Sequence, residues 1–374
     1  MSRTKSARAA TGLLAAAAVL ALAAAGCGSD DNGSSGDSGS SSGSGKGAKI
    51  AFLLPENKTA RYEANDKPEF IKHVKELCAN CEVIYENAQQ DPAKQQQQAE
   101  AALTNGAKVL VLDAVDVKAA AGIVARAKQS NVPVVSYGRL VSNADLDYYV
   151  SIDPFKVGQQ QAQVLLDALD KQGKSNANVV MINGSPTDSN SAPYKKGAHS
   201  ILDGKVKILK EYDTADWSPD KAQQEMEQAI TAVGKDKIDG VYVANDGMAG
   251  GAIAAMKSAG IDPATHPVTG QDAEVTGVQR ILEGTQLMTV YQPIPKIAAA
   301  SAELAVPLAE GKQPPDIAKE KTNNGKEDVP SVLLPTVAIT KGNVKDTVVK
   351  DGFVKPAELC RGQYAKACAD AGIA

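Results

Sequence analysis

The chain has 374 residues, enough for two domains with real cores, and its 43% hydrophobic but only 4% aromatic content suits an Ala/Val/Ile-rich α/β protein. A formal net charge of −4 offers no basic field for nucleic acid, and the three histidines (73, 199 and 266) leave too little material for a His-rich metal site.

In chain order, Arg3, Lys5 and Arg8 precede an apolar run over 13–25. The run has the length of a signal-peptide core and falls short of the roughly 20 residues that a membrane span needs. It ends in Leu22-Ala-Ala-Ala-Gly-Cys27. Small residues admit a peptidase to the backbone, and Cys27 supplies a thiol for acylation. This looks like a bacterial lipoprotein signal, so residues 1–26 are expected to be removed and Cys27 lipidated. Residues 27–47 follow as a tether; beyond the cysteine they are almost entirely Gly, Ser, Asp and Asn and cannot bury apolar surface.

From Lys49 short apolar runs alternate with longer amphipathic ones, the pattern of parallel sheets wrapped by helices. Strands are expected at 50–54, 83–85, 109–112 and 134–137, with helices over 68–77, 92–103 and 117–129. Asp91 and Pro92 supply a cap and a first helical residue. The rhythm repeats with strands at 179–182, 206–209, 241–244, 268–270 and 288–291. Helices are expected to begin near Phe155, Ser191, Pro219, Gly247 and Ala273. A last helix over 295–308 is placed on the first unit, and final strands within 332–339 on the second. The Gly247-Met-Ala-Gly-Gly251 run lacks the Lys and Ser/Thr of a phosphate loop and reads as close helix–sheet packing.

Cys78, Cys81, Cys360 and Cys368 suit an oxidising compartment and are expected to form two local disulfides. A redox motif would want a helix starting at Cys78, whereas one ends there. Within one continuous helix Cys360 and Cys368 would lie about 12 Å apart, so a turn near Gly362 has to intervene if they pair.

Ligands of open parallel sheets sit beyond the carboxyl ends of the strands. Just past the expected strands come Asn57, Arg61, Tyr62 and Arg139, then Gly184-Ser-Pro-Thr-Asp-Ser-Asn190. Asp213, Asp216, Trp217, Asn245, Asp246, Gln271, Asp272 and Gln292 follow. Asp, Asn and Arg match vicinal hydroxyls with paired donors and acceptors, and Trp and Tyr offer flat faces for a pyranose ring. Each has a plainer role open to it: Asp188, Asn245 or Asp246 as helix caps, Arg139 as a solvated charge, Trp217 as core. Their convergence from both units on one edge favours a sugar site.

At these residues the chain resembles the type I periplasmic binding proteins for sugars, most closely the xylose-binding members, from about Lys49 to Glu358. The resemblance rests on Ser136-Tyr-Gly-Arg-Leu-Val-Ser-Asn-Ala-Asp-Leu-Asp-Tyr-Tyr149, Gly184-Ser-Pro-Thr-Asp-Ser-Asn190, Ala244-Asn-Asp246 with Ala249-Gly-Gly-Ala252, Thr269-Gly-Gln-Asp-Ala273, Gly284-Thr-Gln-Leu-Met-Thr-Val-Tyr291 and Asn323-Asn-Gly-Lys-Glu-Asp-Val-Pro-Ser331. It implies an α/β fold of two doubly wound parallel-sheet lobes, 48–152 with 292–332 and 153–291 with 333–374. The hinge segments would lie near 151–154, 291–293 and 333–336. The implied sugar ligands are Arg61, Tyr62, Arg139, Asp188, Asn190, Trp217, Asn245, Asp272 and Gln292. Two positions depart from the xylose-binding pattern: Gly138 replaces an Asp and Gln292 a Lys. The first is expected to open space beside Arg139, and together they leave Arg61 and Arg139 against Asp188 and Asp272.

The implied role is capture of a free monosaccharide, D-xylose first, by a monomer held at the outer face of the cell membrane and read in its closed form by an ABC permease. No cofactor, metal or nucleic acid is expected. A sensor presenting its closed form to a chemotaxis or signalling receptor is the alternative, as is another pentose or hexose as ligand. A repressor of the same fold would need a DNA-binding segment where the leader stands. An exported enzyme would have to use Asp188 and Asp272 as an acid–base pair, and no nucleophile triad, phosphate loop or dinucleotide fingerprint is present.

Overall fold

The computed structural model describes residues 47–373; the leader, Cys27 and all of the tether but Gly47 lie outside the described residues. The elements in chain order are β1 (Lys49–Leu54), α1 (Lys67–Leu77), β2 (Glu82–Asn87), α2 (Pro92–Thr104), β3 (Ala107–Leu112), α3 (Ala121–Gln129), β4 (Val134–Tyr137) and β5 (Tyr148–Ile152). Then come α4 (Pro154–Lys171), β6 (Asn178–Asn183), α5 (Ser191–Leu202), β7 (Lys207–Asp213), α6 (Pro219–Val233), β8 (Gly240–Val243), α7 (Asp246–Ser258), α8 (Val275–Glu283) and β9 (Met288–Tyr291). The chain ends with α9 (Ile294–Ala309), β10 (Glu320–Asn323), β11 (Asp328–Leu334), β12 (Val337–Thr340), α10 (Pro356–Leu359) and α11 (Ala365–Asp370).

The first sheet has the order β10-β11-β5-β4-β3-β1-β2, parallel except for the β10–β11 pair at its edge. Its central strands read as continuous apolar runs because helices cover both faces: β4 is buried at every residue and β1 at all but its first. Asp91 caps α2 through the Ala93 and Lys94 amides at 2.8 and 3.0 Å, as its sequence predicts. Helix α3 begins later than expected, because Asp116 spends its carboxylate on the Lys118 and Ala119 amides in a separate turn first. Residues 148–152, for which no strand was expected, form β5, and the expected hinge segment at 151–154 begins within its end.

The second sheet has the parallel core β7-β6-β8 and an antiparallel β9–β12 pair. The strand expected at 268–270 reduces to a single bridge, Val268 to Val241. Its cause is local: the Thr269 hydroxyl takes over from the backbone, accepting from the Val243 amide at 2.7 Å and donating to its carbonyl at 2.9 Å. The Leu287 amide still donates to the Val268 carbonyl at 2.9 Å, so the segment stitches β8 to β9.

Helix α9 packs against α1 and the first sheet. The final strands within 332–339, expected on the second unit, divide: β11 joins the first sheet and only β12 the second, separated at Pro335, which has no N–H for a ladder. Leu333 and Leu334 still pair with Ser151 and Ile152, which carries the first sheet two residues past the expected boundary at 332. The chain therefore passes between the sheets after β5, after β9 and after β11. The glycine run at 247–251 serves helix–helix rather than helix–sheet contact: a Cβ on Gly251 would stand 2.1 Å from the Pro219 carbonyl oxygen of α6.

Both disulfides are local, Cys78–Cys81 at the end of α1 and Cys360–Cys368 across the tail. Gly362, at φ +58°, turns the chain between α10 and α11 and brings the second pair to a Cα separation of 5.7 Å.

Candidate functional site

The strand ends of the two sheets face each other across a cleft of about 380 Å³, its mouth included, and Arg61, Tyr62, Arg139, Asp188, Asn190, Trp217, Asn245, Asp272 and Gln292 all line it. Asn57 is exposed, and Asp213 and Asp216 turn outward to Lys195 and Lys221. Asp246 is buried behind the cleft, accepting from Gln286, Thr289 and the Glu274 amide. Thr59, Gly138, Tyr194 and Gln271 complete the lining.

Past β1 a π-type turn over Tyr62–Asp66 carries the first cation inward. Arg61 donates from Nη1 to Asp66 Oδ1 at 3.1 Å, lies 3.6 Å through Nε from Asp272 Oδ1, and stacks 4.5 Å above the Tyr62 ring. Asp66 also accepts from the Tyr137 hydroxyl at 2.6 Å. Both acids are buried, and burial raises each carboxyl above its usual range despite Arg61. Asp272 sits at φ +89° and further accepts from Gln292 Nε2 at 3.0 Å and Gln271 Nε2 at 3.2 Å. Gln292 thus gives Asp272 a neutral donor where the xylose-binding pattern has a cation.

Past β4, Arg139 donates from Nη1 to the Ala114 carbonyl at 2.8 Å and from Nη2 to the Tyr62 hydroxyl at 3.3 Å. Its Nε lies 2.7 Å from Asp188 Oδ2 as an ion pair without hydrogen-bond alignment. Asp188 receives the Trp217 indole N–H at 3.1 Å and the Asn190 amide at 2.8 Å, so it shapes its own loop and faces the cleft. Trp217 is buried and packs on Gly184, where any Cβ would overlap the indole at 2.1 Å. Its ring meets Tyr194 edge-on at 6.4 Å. Asn245 both caps α7, accepting from the Met248 amide at 3.0 Å, and turns its amide toward Asp272.

The space expected beside Arg139 is not open. Gly138, at φ +66°, leaves room that the Asp113 carboxylate occupies: a Cβ on Gly138 would stand 2.7 Å from Asp113 Oδ2. Asp113 Oδ1 lies 3.5 Å from Arg139 Nε. The balance of Arg61 and Arg139 against Asp188 and Asp272 therefore omitted Asp66 and Asp113. Burial pushes the Asp113 carboxyl up to about 8, opposed by Arg139 and Arg61.

Bonds join the two halves around the cleft. Ala60 N donates to Glu274 Oε1 at 3.0 Å, Leu140 N to Ser189 Oγ at 2.8 Å, and Asn190 Nδ2 to the Gly138 carbonyl at 3.0 Å. The molecule is closed. Among the described residues no cluster of His, Cys, Asp and Glu could hold a metal, and no helix is long and apolar enough to cross a membrane.

The family described as periplasmic binding protein domain matches residues 50–313. The chain is 37% identical over 319 residues to the D-xylose-binding periplasmic protein of Escherichia coli strain K12, covering 84% of this chain and 93% of that one. It is 30% identical over 328 residues to the multiple sugar-binding periplasmic receptor of Rhizobium radiobacter, covering 83% and 92%. Among solved structures, an ABC transporter solute-binding protein from Clostridium phytofermentans with bound β-D-glucose superposes with a TM-score of 0.75 at 25% identity, covering 83% of this chain and 99% of that one.

Proposed function

This chain belongs to the type I periplasmic sugar-binding proteins, and from that premise we propose that it captures one free monosaccharide, D-xylose first, for an ABC importer. The reading rests on one observation. Two arginines, the acids that hold them, four amide side chains and one indole converge from both sheets on a closed cleft. Planar, paired polar groups beside an aromatic face are what vicinal hydroxyls and a pyranose ring require.

Binding uses no bond chemistry. Sugar contacting both halves stabilises the closed arrangement, because only there do both sets of ligands reach it, and the permease reads that shape. The protein acts as a monomer, held outside the cell by acyl chains on Cys27. The alternative of a broader sugar range is favoured by Gln292, a neutral donor to Asp272 where the xylose-binding pattern has a cation.

Titration calorimetry with D-xylose, L-arabinose, D-glucose and D-galactose tests the reading. Binding of one of them at 1:1 stoichiometry is expected, with D-xylose tightest. No heat and no thermal shift from any of the four would overturn it. Cys27→Ser is expected to release the protein from membranes with unchanged sugar affinity; a variant that still sediments with membranes would refute the anchor.

A further inference from the structure

Asp113 is the first residue past β3 and is fully buried, yet neither of its carboxylate oxygens has a hydrogen-bond donor. Buried acids without donors are rare and call for an explanation. The backbone around it is fixed: the Asp113 amide donates to the Leu53 carbonyl at 2.9 Å, and Gln95 bridges the Asp113 carbonyl and the Val115 amide at 2.8 and 2.9 Å. The side chain therefore sits where β3 aims it. A Cβ on Gly138, a cleft-lining residue, would stand 2.7 Å from its Oδ2, so glycine is the residue that leaves room for this carboxylate. Its one cation neighbour within ion-pair distance, Arg139, is aligned with other acceptors.

The geometry points to Asp113 as a specificity-determining residue of the cleft, whose carboxyl takes a hydrogen bond from a sugar hydroxyl through the notch at Gly138. The inference rests on the sugar-binding reading above. The carboxyl lies buried behind this glycine of the cleft wall, so it selects among sugars by whether a hydroxyl is directed into that notch. Gly138 and Asp113 form a unit: a side chain at 138 and a carboxylate at 113 compete for one space.

The test measures dissociation constants for D-xylose, L-arabinose, D-glucose and D-galactose on wild type, Asp113→Leu, Asp113→Asn and the exchange Asp113→Gly with Gly138→Asp. Asp113→Leu is expected to weaken the preferred sugar about tenfold and to change the ratios between sugars. Asp113→Asn keeps an acceptor and should stand between Leu and wild type. The exchange is expected to bind sugar with an altered order of preference. If Asp113 only steadies Arg139, the substitutions weaken all four sugars by one common factor and leave the ratios untouched, which overturns the inference. Should Asp113→Leu fail to fold, Asp113→Asn and the exchange carry the same ratio test. Wild type binding none of the four refutes the functional reading instead, whereas unchanged ratios in folded variants of a sugar-binding wild type refute this inference alone.

Discussion

The two arginines of the cleft are held differently. Arg61 lies between Asp66 and Asp272, and each of those acids receives a neutral donor as well, Tyr137 for the first and Gln292 for the second. Arg139 lies between Asp188 and Asp113; Asp188 receives the Trp217 indole, but Asp113 receives nothing. In one half both acids have donors before any ligand arrives, and of the buried side-chain atoms of Arg61, Asp66 and Asp272 only Arg61 Nε lacks a hydrogen-bond partner. The other keeps a buried acceptor in reserve. A preorganised half supplies affinity by costing little on binding, and an incomplete half supplies discrimination, since a buried unpaired group penalises a ligand that leaves it unpaired.

Removing a cation should separate the halves most strongly. Arg139→Met leaves Asp188 and Asp113 facing each other without a counter-charge, and sugar affinity is expected to fall a hundredfold or more, about 3 kcal/mol. Calorimetry checks this, and a loss under tenfold would show that the Arg139 half contributes little. Next, Asp272→Ala removes the acceptor shared by Arg61, Gln271 and Gln292, for an expected loss of ten- to a hundredfold, roughly 1.5–3 kcal/mol. Trp217→Ala belongs in the same range. As the only tryptophan, Trp217 should also change its emission when sugar saturates the wild type.

A smaller effect probes the unpaired acid through pH. The folded Asp113 carboxyl is raised to about 8, with Glu274 also at about 8 and Asp246 at about 7, burial being the first cause in each. The native state then holds protons that the unfolded chain releases near pH 4, so this stabilisation is fully present below about pH 4 and is lost progressively until pH passes the folded values of about 7 to 8. Sugar-free protein is expected to lose melting temperature between about pH 5 and 8, and Asp113→Asn to flatten that slope. Parallel slopes for the two proteins would show that Asp113 does not titrate there. The smallest expected effect on binding comes from the tail disulfide, neither cysteine of which lines the cleft. Replacing Cys360 and Cys368 by Ser should leave affinity within about twofold, while a short-loop crosslink of this kind contributes about 2–3 kcal/mol to stability. Quantitative alkylation of unreduced wild type would show that the bond does not form.

What the sequence disclosed follows the geometry of strands. Arg61, Arg139, Asp188, Trp217, Asn245, Asp272 and Gln292 follow apolar runs closely, and parallel strands carry such positions to one edge. Tyr194 lacked that signal because it lies a turn inside α5, where its spacing reads as helix core. Asp113 did have it, as the first residue past β3, but an acid that points behind Gly138 is indistinguishable in sequence from a surface turn. Thr269 shows the opposite failure: its run is apolar enough for a strand, and only the hydroxyl's capture of the Val243 backbone groups ends the ladder. The pairing of β11 and β12 with different sheets was beyond periodicity altogether, since alternation says nothing of which sheet a strand joins.

The cap at α7 also fixes a polarity in the cleft. Asn245 commits its oxygen to the Met248 amide and turns its NH2 group toward Asp272, so only an N–H remains for a ligand. An unconstrained amide can rotate and greet either partner; this one is keyed to acceptors alone, whether a ring oxygen or the lone pair of a hydroxyl. Asn245→Asp would keep the helix start intact while reversing what that wall asks of its guest, so a stable protein that no longer holds sugar is the expected phenotype. Recognition and folding, which share one side chain here, come apart in that single change.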